Sequence, residues 1–112
     1  MIFDKDELDA RTFGDEELMQ ELLMEFLTTF PDQFEALNQA LNAGRTKEMT
    51  TLAHTIKGTS ANLAAKAMAN AALAIEEAGR ENTLDDAPTF IENLKIEFET
   101  FKKTMTELGY DQ

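Results

Sequence analysis

The chain of 112 residues has no cysteine, no tryptophan and no valine. Without cysteine there is no disulfide scaffold, no thiolate metal site and no thiol nucleophile. Basic residues are scarce, 10 against 22 acidic ones, and the formal net charge is −12. A surface this acidic repels phosphate backbones and anionic lipids, which argues against partners made of nucleic acid or membrane. No apolar run approaches the ~18 residues of a membrane span, and no basic-then-apolar leader opens the chain, so a cytoplasmic location is expected. Prolines number 2 and glycines 5, so little punctuates the chain. No stretch alternates with period two over strand length.

What is present forms helices. Ala, Leu, Glu, Met and Lys dominate, all good helix formers, and the length suits one domain over residues 1–112. Phe3 to Leu8 reads as the start of a short helix, with Asp4 as cap and Glu7 reaching back, that ends near Gly14. Asp15, Glu16 and Glu17 open a second helix whose buried face is Leu18, Met19, Leu22, Leu23, Phe26, Leu27 and Phe30. Pro31 marks a break and opens a third helix, which buries Phe34, Leu37 and Leu41 and is ended by Gly44. A fourth begins near Thr46 and buries Met49, Leu52, Ala53, Ile56, Ser60 and Leu63. After a bend at Ala64 to Lys66, a fifth turns Met68, Ala71, Ala72 and Ile75 inward and frays around Gly79 to Asn82. Asp86 or Ala87 caps the last, which has Pro88 in its first turn and a stripe of Phe90, Ile91, Leu94, Phe98, Phe101, Met105 and Leu108. Short connections favour antiparallel neighbours. The expected fold is all-α: an antiparallel up-down four-helix bundle with one or two additional short N-terminal helices.

The single histidine stands off the apolar stripe of its helix. With Met49 at zero on a wheel of about 100° per residue, Leu52, Ile56 and Leu63 lie within about 60°, whereas His54 lies near 140°. Gly58, one turn on, costs about 1 kcal/mol relative to alanine in mid-helix. On an outward face, its missing side chain gives another molecule access to the imidazole. Lys57 can place an ammonium near a phosphate or carboxylate. Thr50, Gly58, Ala61 and Ala65 make the surroundings small where long charged residues are usual, which suggests docking. From Arg45 to Lys66 the charge is +3, through Arg45, Lys47, Lys57 and Lys66 against Glu48, so the remainder carries −15. Such an island steers an acidic or phosphorylated partner to this face.

At these residues the chain resembles a known family. Leu52-Ala53-His54-Thr55-Ile56-Lys57-Gly58-Thr59-Ser60-Ala61-Asn62-Leu63-Ala64-Ala65 is similar to the signature of histidine-containing phosphotransfer (HPt) domains of bacterial phosphorelays. That signature has an alanine-histidine pair, an apolar residue, Lys-Gly, small residues, and a leucine-glycine-alanine close. One departure is Ala64, where the family usually has glycine. The resemblance implies that His54 accepts the phosphoryl group, that Lys57 neutralises its oxygens and that Gly58 admits the partner. The face carrying Lys47, Thr50, Gly58 and Ala61 would bind that partner. The family often presents Gln or Glu 22 positions after the histidine. Here that residue is Glu76, which would hold Nδ1–H and leave Nε2 free. Arg80, one turn on, is a weaker candidate for phosphate or partner contact.

The implied partners are receiver domains of a hybrid sensor kinase, a response regulator, or both, and the protein itself is expected to be a monomer. An unperturbed imidazole titrates near ~6.5 and is substantially neutral in the cytoplasm. Neutral Nε2 can attack an aspartyl phosphate in line, and the reverse transfer uses the same geometry. The chain is expected to carry no cofactor, with Mg²⁺ supplied by the receiver's acidic pocket. No glycine-rich nucleotide loop is present, so the expectation is a phosphocarrier rather than a stand-alone enzyme.

Two other classes compete with this reading. Di-metal carboxylate bundles need inward Glu-x-x-His pairs on two helices, but there is one histidine here, and Thr51 stands three residues before it. An acidic helical adaptor that binds a partner without carrying phosphate would explain the charge. Its apolar residues, however, are already committed to core stripes.

Overall fold

In the computed structural model, which describes residues 16–109, Pro31 does not end a helix. Helix α1 runs unbroken over Glu16–Asn42 with Pro31 inside it. Proline has no N–H to give the carbonyl four residues back, so an interior position is costly. Continuity wins here because one apolar stripe spans the site. Met19, Leu23, Phe26, Phe30, Leu37 and Ala40 are all buried, while Pro31 itself faces solvent. Breaking the helix would divide that stripe.

Three more helices follow: α2 over Thr46–Asn62, α3 over Lys66–Glu81 and α4 over Ala87–Leu108, with a 3-10 turn at Leu84–Asp86 before the last. No strand occurs among the described residues, and none of their helices is long and apolar enough to cross a membrane. The short helix expected before Gly14 lies outside the described residues.

The core is a layer of phenylalanines between α1 and α4, continued by aliphatic side chains between α2 and α3. Phe30 stacks on Phe98 with ring centroids 4.1 Å apart, and Phe26 meets Phe101 edge-on at 5.6 Å. Numbers rise along α1 as they fall along α4 in these pairs, so the two helices run in opposite directions. Met49, Ala53 and Ile56 of α2 and Met68, Ala72 and Ile75 of α3 are fully buried. The stripe on α1 is narrower than expected: Leu18 and Leu22, assigned to its buried face, are 39% and 38% exposed. They lie on the flank of a face centred on Met19, Leu23, Phe26 and Phe30. Leu108, at the end of α4, is exposed as well.

Two turns of one type join α1 to α2 and α2 to α3. Gly44 takes φ +73° after α1, and the next N–H, of Arg45, returns to the Ala40 carbonyl at 2.8 Å. Ala64 takes φ +58° after α2, and the Ala65 N–H returns to the Ser60 carbonyl at 2.9 Å. The left-handed conformation suits glycine and costs another residue about 1–2 kcal/mol. Ala64 keeps the turn and carries the strain. The same closure places α3 firmly along α2, the most extensive helix pairing in the structure.

Candidate functional site

His54 projects from the middle of α2 into solvent, its side chain 65% exposed. Ala53 and Ile56 beside it are fully buried, as the 100° wheel requires of neighbours on the opposite face. One turn on, Gly58 is exposed, and a Cβ built there would have nothing within 4 Å. The space over that face of the imidazole is therefore open.

Beneath the ring lies a buried carboxylate. Glu76 of α3 is 1% exposed, although its position on α3 is otherwise part of the apolar face with Ala72 and Ile75. Three cationic or polar donors converge on it. His54 Nδ1 is 2.9 Å from Oε2, Lys57 Nζ is 2.7 Å from Oε1, and Arg80 Nη2 is 2.5 Å from Oε2. Lys57 contributes from α2, three residues past the histidine, and Arg80 from α3, one turn past the glutamate. The side chains of Lys57 and Arg80 are 30% and 62% exposed, so both keep contact with water while their heads reach inward.

The Lys57 ammonium is the largest cause holding the Glu76 carboxyl below the usual carboxylate range. Burial pushes the other way, and the hydrogen bond from His54 adds to the lowering. The group is therefore ionised at neutral pH. An ionised carboxylate has no proton to give, so the hydrogen bond at 2.9 Å must be donated by Nδ1–H. In the neutral form of the ring, the other nitrogen, Nε2, then keeps its lone pair on the exposed side. One buried charge thus decides which nitrogen of the neutral ring carries the proton.

The structure brings His54, Lys57, Glu76 and Arg80 together at one carboxylate. Lys47 and Ala61 are exposed on the same helix as His54. Thr50 is half-buried: its hydroxyl donates to the Thr46 carbonyl at 2.8 Å and lies against Gly79 of α3. Ala65, grouped with the small residues of the outer face, is fully buried, because past the left-handed turn at Ala64 the chain turns it into the core. Arg45 pairs with Glu48 at 2.9 Å, as Lys57 and Arg80 pair with Glu76, so part of the island's positive charge is offset locally. Sequence reasoning did not find the close approach at Gly79. Its one available signal, a glycine inside a run of strong helix formers, was read as fraying.

Three comparisons bear on this arrangement. A family model described as the Hpt domain matches residues 21–107. The crystal structure of histidine-containing phosphotransfer protein B (HptB) from Pseudomonas aeruginosa PAO1 is similar, with 27% sequence identity and a TM-score of 0.88. That likeness covers 95% of this chain and 92% of the other. No curated protein matches.

Proposed function

The chain belongs to the Hpt domain family of histidine phosphotransfer in phosphorelays, and on that premise we propose that His54 is its phosphoacceptor. The observation that carries this reading is the exposed imidazole whose Nδ1 is tied, at 2.9 Å, to a buried ionised carboxylate. Its Nε2 is the nucleophile. It attacks the phosphorus of an aspartyl phosphate on a receiver domain. An N–P bond forms as the P–O bond to the aspartyl carboxylate breaks, and the receiver regains a free carboxylate. The ring becomes cationic as Nε2 is phosphorylated, and the Glu76 carboxylate on the Nδ1–H side offsets that charge. Return of the phosphoryl group to a second receiver reverses the same steps.

Lys57 carries three N–H donors and uses one on Glu76, so two remain for phosphoryl oxygens. Arg80 has five donors and is similarly placed to share them. Gly58 leaves the approach to Nε2 clear, and Lys47 and Ala61 line the docking face. Charge neutralisation at the transferring group is the main demand of phosphoryl transfer. Most of it, including Mg²⁺, is supplied by the receiver. The protein acts as a carrier that exchanges phosphate with receiver domains of a hybrid sensor kinase, a response regulator, or both.

Incubation with a phosphorylated receiver domain and Mg²⁺ tests this. An acid-labile, alkali-stable phosphate is expected on the wild type and absent from His54→Gln at unchanged helicity. Equal labelling of His54→Gln would overturn the assignment. Full signalling by His54→Gln would favour the non-phosphorylated adaptor.

A further inference from the structure

The hydrogen bond between His54 and Glu76 joins two helices, so it depends on how closely those helices approach. A close approach lies one turn away on both. Thr50 precedes His54 by one turn on α2, and Gly79 follows Glu76 by one turn on α3. A Cβ built on Gly79 would lie 2.0 Å from Thr50 Oγ1, and 3.2 Å from Thr50 Cβ and Met49 Cε. The Thr50 hydroxyl is held in that place by its 2.8 Å bond to the Thr46 carbonyl, which turning about χ1 would give up. Met49 is fully buried and has little room to withdraw.

We propose that Gly79 is a positioning residue: by letting α3 close on Thr50, it keeps the Glu76 carboxylate within reach of His54 Nδ1. The distances set the scale. Raising a 2.0 Å approach to an ordinary contact of 3.4 Å needs more than 1 Å of separation. The His54–Glu76 bond is 2.9 Å long, and adding about 1 Å takes it beyond the range in which a hydrogen bond survives. A methyl group at residue 79 therefore frees the imidazole from its carboxylate without touching either group. The inference uses the phosphoacceptor reading only for its importance; the contact itself is independent of it.

The tautomer of His54 reads this out. In the wild type, the ¹⁵N shifts of the neutral ring are expected to report Nδ1–H and an unprotonated Nε2. In Gly79→Ala, the balance moves by about tenfold or more toward Nε2–H, the factor that goes with losing one hydrogen bond to a charged group. Thr50→Ala in the same chain removes the nearest atom, and Thr50→Ala/Gly79→Ala restores the wild-type tautomer. A wild-type tautomer in folded Gly79→Ala overturns the proposal. So does a double variant that stays altered or fails to fold, while Thr50→Ala alone is normal. If Gly79→Ala by itself does not fold, a folded double variant with the wild-type tautomer still supports the proposal. None of these measurements needs a phosphate donor, so their failure leaves the phosphotransfer assignment standing, and the converse holds too.

Discussion

Each residue at the site has a task set by its exposure. Glu76 is buried and ionised, His54 is exposed with Nδ1 tied to that carboxylate, and Gly58 leaves open space beside it. Because the Glu76 carboxyl is held below its ordinary value near 4.5, chiefly by Lys57, its stabilising contribution is complete above about pH 4.5. It is lost as pH falls through the lower folded value. The stability gap between wild type and Glu76→Gln is thus expected to be widest near neutral pH and to close below about pH 4.5, measured by urea unfolding across pH. A gap that stays constant with pH would mean that the charge at residue 76 is not what matters. Gly58 gives a prediction of opposite signs. Since nothing crowds its Cβ, Gly58→Leu is expected to gain about 0.5–1 kcal/mol of stability from helix propensity. The same side chain stands one turn from His54 and should slow phosphotransfer from a receiver. Equal transfer rates would remove Gly58 from the docking face.

At the scale of the element, α1 shows tertiary packing outweighing a local breaker. The helix loses the bond that residue 31 would make to the Leu27 carbonyl, yet Phe26, Phe30 and Leu37 stay on one buried face. The exposed Pro31 ring offers little packing in return. Pro31→Ala should restore the bond, and part of that gain is offset by the greater freedom of the unfolded chain. The expected net effect is about 1–2 kcal/mol of added stability, checked by thermal and urea unfolding. A loss of stability would show that the proline shapes a bend on which the phenylalanine layer depends. The α2–α3 hairpin makes the complementary case. Its turn keeps a left-handed residue although that residue is Ala64, because the Schellman-type bond from Ala65 to Ser60 satisfies a carbonyl at the end of α2.

For the whole molecule, shape and charge act together. The longest dimension is 41 Å, about the length of α1 at ~1.5 Å per residue. The site lies on the α2–α3 hairpin, with His54 midway along α2. The chain carries −12 overall, but the segment bearing His54 is +3. An acidic receiver pocket is therefore repelled by most of the surface and attracted by one face. Transfer at sub-saturating receiver is expected to slow roughly tenfold or more from low to high salt. Lys47→Ala should flatten that dependence while leaving the His54 tautomer unchanged. Stopped-flow transfer kinetics over a salt series measure both, and a rate indifferent to ionic strength would mean that docking does not use the island.

Helical periodicity lies within one segment of chain. It placed α2 to α4 nearly to the residue and turned His54 outward, because a side chain's direction on a helix follows from its number alone. The resemblance to the HPt signature, not periodicity, named Glu76. Neither could show that Glu76 is buried, that three donors share its carboxylate, or that Gly79 sits against Thr50, because each depends on the separation of two helices. Pro31 misled for a related reason: the cost of a proline is local, whereas the phenylalanine layer that outweighs it exists only once α1 meets α4.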